Sequence, residues 1–246
     1  MKDGGSAHKK HRESGCRGSH SERDRYWQYT LAQVPPLAFM LAKASGQSVR
    51  DVVPPEVAAS AHWAWINRRT DTDAFLMLTY SDSGYDRGLG ADLMLFFGGP
   101  LGVPEYVALA RPYADTCVEP LFLQCARGLP DGNVAAPGTR TLTVFADSGH
   151  VDIRQVEVRD GMRVYFLSGE WGGKSHGDRN SFMLEAYGRT LLLDRATSHY
   201  THPLHHAMVG AEAHNTVVAD DLNQAEKHHG PGATLLRGGT RALRSP

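Results

Sequence analysis

Trp171-Gly172-Gly173-Lys174-Ser175-His176-Gly177-Asp178-Arg179-Asn180-Ser181-Phe182 opens a stretch that continues through Leu193-Asp194 and Ala213-His214-Asn215-Thr216-Val217 to Asp220. Its reading decides the fold. Ser181 to Tyr187 alternates as a half-buried strand does, with Phe182, Leu184 and Ala186 on one face. Gly188-Arg189 supplies a two-residue turn, and Thr190 to Asp194 returns as a second, more apolar strand. On this reading His176 lies just ahead of one strand, Asp194 ends the next, and His214 opens a third that runs to Ala219. Antiparallel pairing brings such distant positions together, so two imidazoles and one carboxylate can converge on one ion. Two nitrogens and one oxygen with an open fourth position form a zinc-type ligand set. The competing reading is three polar residues satisfied separately within a sheet. His199, His202, His205 and His206 are dense enough to take up adventitious metal, although an exposed loop explains them as well.

Moving upstream, Thr141 to Phe145, Val151 to Val158 and Met162 to Ser168 also read as strands, with Asp160-Gly161 as a hairpin turn. Residues 129–139, with Pro130, Asp131-Gly132 and Pro137-Gly138, mark a linker, because the apolar period changes there from helical to alternating. Residues 26–128 are the helical region. Leu31, Val34, Leu37, Ala38 and Leu41 recur at helical spacing, Gly46 is a natural stop, and Pro35-Pro36 should kink or divide that helix. Val53-Pro54-Pro55-Glu56 opens another helix through Ile66. Trp63 and Trp65 within it suit either a sugar-stacking platform or, more commonly, helix packing. Leu93 to Phe97, Pro104 to Ala110 and Thr116 to Arg127 give further short helices. Residues 1–25 have almost nothing to bury and read as a disordered tail. Residues 140–246 form the strand region, whose signal fades after Asp220.

The 246 residues carry 26 basic and 27 acidic side chains, a balance that argues against a nucleic-acid surface. No apolar run reaches membrane-spanning length, and no signal-peptide core is present in this chain; its localisation and oligomeric state are left open. Cys16, Cys117 and Cys125 are too sparse for a disulfide framework.

Ser175 to Phe182, Gly188, Leu193-Asp194 and Ala213 to Val217, in that order, resemble the C-terminal signature of the heparinase II/III-like polysaccharide lyases, which include oligoalginate and heparin lyases. The resemblance implies an α+β multidomain fold: the end of an (α/α) toroid followed by an antiparallel β-sandwich, here incomplete. It implies β-elimination of a uronic-acid-containing polysaccharide at the junction, so the expected partner is an acidic polysaccharide or oligosaccharide. Zinc of a structural kind is implied on His176, Asp194 and His214. Tyr26, four residues after Glu22, matches the Glu-x-x-x-Tyr segment that holds the catalytic tyrosine. Lys174 stands where many members have a histidine facing the active site. Arg179, and Asp82 in the loop Ser81-Asp82-Ser83-Gly84, are implied as further substrate contacts. Members are much longer than this chain, which therefore reads as a partial one. The rival is a non-catalytic remnant that keeps metal and binds acidic glycan. A cupin-like metal enzyme is disfavoured, since cupins lack the preceding helical half.

The implied chemistry sets demands on these residues. The proton alpha to a uronate carboxylate is weakly acidic, so charge building on that carboxylate must be neutralised as the base acts. A tyrosine suits the acid or base role because its long side chain reaches the glycosidic oxygen.

Overall fold

The computed structural model describes residues 23–70, 77–83, 91–110, 125, 141–145, 148–155, 160–168, 176–195, 197, 200–220 and 223–224. The tail up to residue 22, the linker at 129–139, Cys16, Cys117, Lys174, His199 and the segment from residue 225 onward lie outside them, as does the expected helix at 116–127 apart from Cys125.

Among the described residues, six helices precede the sheet: α1 (Arg23–Leu31), α2 (Val34–Ser45), α3 (Val49–Val52), α4 (Pro55–Asn67), α5 (Ala91–Gly98) and α6 (Glu105–Ala110). The expected proline effect is a division. α1 stops at Leu31, and Pro35 and Pro36 fall in the first turn of α2, where their missing donors cost nothing. Gly46, at φ 71°, takes the left-handed conformation that closes α2. Ser48 and Asp51 then make a reciprocal capping box on α3. α1 begins before Tyr26, three residues earlier than the composition implied.

Five antiparallel strands follow among the described residues, in sequential order: β1 (Leu142–Phe145), β2 (His150–Arg154), β3 (Arg163–Leu167), β4 (Ser181–Ala186) and β5 (Arg189–Leu192). The turn between β4 and β5 is Tyr187-Gly188, at φ 56° and 67°, rather than Gly188-Arg189; positive φ at both central residues matches the twist of the flanking strands. The expected strand at His214 to Ala219 does not form. A single 3₁₀ turn (Ala211–Ala213) delivers His214 in extended backbone, and Phe182 N–H donating to the Asn215 carbonyl is the backbone bond that ties this segment to β4.

Sequence alternation identified β4 but misjudged its buried side. Met183 is fully buried and Glu185 only 3% exposed, whereas Phe182 is 38% exposed. The cause lies in the register. His150, Asp152, Arg154, Arg163, Tyr165, Leu167, Ser181, Met183 and Glu185 share the face turned to the helices. Val151, Ile153, Val164, Phe166, Phe182 and Leu184 share the other, which is the face a second sheet covers in a sandwich. Among the described residues there is no second sheet.

Helices and sheet share one core. Trp27, Trp63, Ile66, Leu78, Tyr80, Phe96 and Phe97 join Phe145, Tyr165, Leu167 and Met183 in a single cluster. Trp63 and Trp65 are buried, so they pack rather than offer a sugar platform; Trp63 lies against Trp27 and His150, and Trp65 beneath the Arg68 guanidinium at 3.8 Å. The charged part of the sheet's inner face receives the end of α4. An α-helix leaves its last carbonyls without partners. Here Arg154 and Arg163 both donate to the Ile66 carbonyl, and Arg163 also donates to that of Arg68 at 2.8 Å. Asp152 pairs with both arginines, and Glu185 with Arg163 at 2.9 Å and with Thr70 Oγ1 at 2.7 Å. Beside them Asn67 Oδ1 accepts from Tyr80 and Tyr165.

Candidate functional site

The opposite end of that inner face holds the histidines. Residues 77–83 leave α4 and run back in extended form, with Leu78 N–H donating to the Asn67 carbonyl and Thr79 Oγ1 to that of Asp194. They end in a tight turn, Ser83 N–H to the Tyr80 carbonyl at 3.1 Å, with Ser81 at φ 50°. This turn delivers two side chains into the sheet half. Ser81 Oγ donates to Asp178 Oδ2 at 2.6 Å and accepts from His176 N–H. Asp82 Oδ1 meets His176 Nε2 at 3.0 Å, while Asp82 Oδ2 accepts from the Tyr200 hydroxyl at 2.6 Å.

A second pair sits alongside. His214 Nδ1 meets Asp194 Oδ1 at 2.7 Å, and Ser181 Oγ donates to Asp194 Oδ2 at 2.7 Å. Burial pushes the Asp194 carboxyl up, only partly offset by these two bonds and the His214 charge. Burial acts to lower His214, but its bond to Asp194 and the charges of Asp194 and Asp178 outweigh it, so the net shift is upward. His176 Nδ1 and His214 Nε2 are buried with no hydrogen-bond partner. Buried polar atoms are rarely left so.

The structure thus gathers His176, Asp194 and His214 in one neighbourhood. Among the described residues, though, no group of three His, Cys, Asp or Glu side chains already stands as a metal cluster. Asp194 as it stands holds His214 and Ser181 with its two oxygens. The bare nitrogens nevertheless fit an ion in kind. The two imidazole ring centres are 5.5 Å apart. Two imidazoles on one tetrahedral zinc, with Zn–N near 2.0–2.1 Å, put their ring centres about 5 Å apart.

The other expected contacts fare differently. Asp82, expected to touch substrate, is 4% exposed, with one oxygen on His176 and the other on the Tyr200 hydroxyl. Arg179 is 9% exposed in a turn held by Gln224 and Thr216. Tyr26 lies in α1, its side chain outside what is described, and Lys174 lies outside altogether. Sequence reasoning missed Tyr200. It sits 51% exposed beside the ring of His205, with its hydroxyl on Asp82. The only signal was its place among the closely spaced histidines, which composition explains equally well as a solvated loop.

The comparisons with known proteins bear on this geometry. The family model described as heparinase II/III-like, C-terminal, matches residues 137–238, which carry β1 to β5 together with His176 and His214. Over residues 137–238 the chain is similar to the heparinase II/III-like C-terminal domain. Solved structures extend the likeness of fold across the helices. A mutant of the heparan sulfate lyase HepC from Pedobacter heparinus superposes at TM-score 0.55 and 11% identity, over 85% of this chain and 31% of that one. A structure of heparinase III gives 0.54 at 15% identity, over 84% of this chain and 32% of its own, and another heparinase III gives 0.54 at 18% identity, over 84% and 30%. The chain therefore spans about a third of the length of these heparinase structures. No curated protein sequence matches it. No helix among the described residues is long and apolar enough to cross a membrane.

Proposed function

We propose that this chain is part of a polysaccharide lyase that cleaves uronic-acid-containing polysaccharide by β-elimination, with oligoalginate and glycosaminoglycan as candidate substrates. The observation that carries this reading is the Tyr200–Asp82–His176 unit at the meeting of helices and sheet. Tyr200 is half in solvent, where a sugar chain can reach it, yet its hydroxyl is aimed by a buried carboxylate. It is a group that can hold and move a proton at Oη, the role β-elimination asks of a tyrosine. Tyr26 is a second candidate, on the helical side of the same junction.

His176 and His214 would hold a zinc-type ion through their bare nitrogens, with Asp194 orienting His214 or turning to join them. When bound, that ion supplies a structural tie between the segments that carry the two histidines. Lys174 and Arg179 are the cations that would answer the substrate carboxylate; Arg179 is 9% exposed.

The test is absorbance of the unsaturated uronate product from alginate, heparan sulfate and hyaluronan oligosaccharides. Product is expected from the wild-type chain and its loss, by about two orders of magnitude or more, from Tyr200→Phe. Unchanged product in Tyr200→Phe overturns the assignment to Tyr200; if Tyr26→Phe alone abolishes product, the proton passes through α1. Glycan binding without product from the wild-type chain favours a non-catalytic, metal-holding remnant.

A further inference from the structure

At the arginine end of the sheet's inner face, just past α4, lies a cavity of about 260 Å³ that the lyase reading does not use. Its walls are the segment after α4 and two turns, one between β2 and β3 and one between β4 and β5. The two turns are tied together. Tyr187 N–H donates to the Asp160 carbonyl at 2.8 Å, and at Gly188 any Cβ would stand 3.3 Å from the Asp160 carboxyl.

Among the described residues four guanidiniums line this cavity, from Arg68, Arg154, Arg163 and Arg189, against two carboxylates, from Asp160 and Glu185. Glu185 is already engaged by Arg163 and by Thr70. Arg163 uses all three of its nitrogens, on Asp152, Glu185 and the carbonyls of Ile66 and Arg68. Arg154 does not. Its Nε meets Asp152 and its Nη2 the Ile66 carbonyl, but Nη1 makes no bond among the described residues, in a side chain 8% exposed. Burial and the neighbouring Arg163 charge hold its pKa down, against the pull of Asp152 and Glu185. An anion in the cavity offsets both. Arg68 is held in place over the Trp65 ring at 3.8 Å, and Arg189 and Asp160 form the exposed side.

We propose that this cavity binds a small oxyanion, the carboxylate or sulfate of one acidic sugar residue, through Arg154 Nη1 and the guanidiniums of Arg68 and Arg189. Guanidinium forks match the paired oxygens of such groups, whereas a cation would meet an excess of positive charge. The volume falls short of the range of about 300–1,000 Å³ that takes drug-sized ligands, so a single sugar ring with its acid group is the natural occupant. This inference rests on the acidic-glycan reading above for the source of the oxyanion. The cavity is separate from the Tyr200 unit. Along β4, Glu185 stands about 13 Å from Ser181, which bonds Asp194.

The experiment titrates the full chain by calorimetry with sodium glucuronate alone and with sodium sulfate alone, at one fixed ionic strength. One saturable site of about millimolar affinity is expected. Asp160→Asn removes a carboxylate from the wall, and asparagine accepts the φ of 59° found there, so the fold is kept and anion affinity should rise about two- to five-fold. Arg189→Gln, at an exposed position, should lower it by about the same factor. Binding of glucuronate alone assigns the cavity to a carboxylate and binding of sulfate alone to a sulfate; either supports the proposal. No saturable binding of either anion overturns it, as does binding that both variants leave unchanged or that weakens in Asp160→Asn. A chain that binds glucuronate here but releases no unsaturated product from polymer keeps this inference and overturns the lyase reading. Product without anion binding here does the reverse.

Discussion

The two ends of the sheet's inner face are buried to the same degree and built on opposite terms. At one end Asp152, Arg154, Arg163 and Glu185 are all paired, and the arginines also close the last carbonyls of α4. At the other, two histidines are each held on one side and left bare on the other. Burial alone therefore does not distinguish scaffold from site; the state of the polar atoms does. A fully satisfied buried network fixes geometry, whereas a half-satisfied one is unfavourable unless something else completes it. The first end docks the halves, and the second leaves imidazole nitrogens for a ligand to complete.

Removing one member of the satisfied end should have the largest effect. Arg163→Met leaves Asp152 and Glu185 short of a cation and takes from the Arg68 carbonyl, just past α4, the guanidinium that donates to it. A loss of about 3–5 kcal/mol in urea unfolding is expected. A loss below about 1 kcal/mol would mean that water enters that end and that the comparison fails. Next comes the bond from Ser81 to Asp178. Ser81→Ala removes the hydroxyl from a buried aspartate and should cost about 1–3 kcal/mol in the same measurement. No loss would mean that the turn stays docked without it. The smallest effect belongs to the exposed last strand. Leu191 on β5 is 49% exposed, and Leu191→Ser should change stability by no more than about 0.5 kcal/mol. A larger loss would show that this edge is covered in solution.

How much of this was legible depends on how local the cause is. Pro35-Pro36 and Gly46 punctuate the first helices through φ and a missing donor, which neighbours do not alter. β1 to β5 follow the expected order because each strand pairs with the next one in sequence. The choice of face on β4 was not local. Met183 and Glu185 face inward because Arg163 and Thr70, remote in sequence, provide what Glu185 needs. The strand expected at His214 failed for a similar reason: extended, apolar residues form a ladder only where a partner edge is offered, and β4 gives Asn215 a single backbone bond.

The candidate site divides along the same line. His176, Asp194 and His214 were legible because motif and spacing mark them, and the structure brings them into one neighbourhood. Tyr200, Ser81 and the contacts of Asp82 were not, since none carries a local pattern and each meets a partner about a hundred residues away. The sequence by itself determined which segments become helix or strand, where the chain turns, and which histidines are candidates, because propensity, turn chemistry and spacing act over a few residues. Only the tertiary structure decided which face is buried, which nitrogen of each imidazole meets a carboxylate, and that Tyr200 meets Asp82. Those outcomes depend on hydrogen-bond partners that exist only once the helices and the sheet have met.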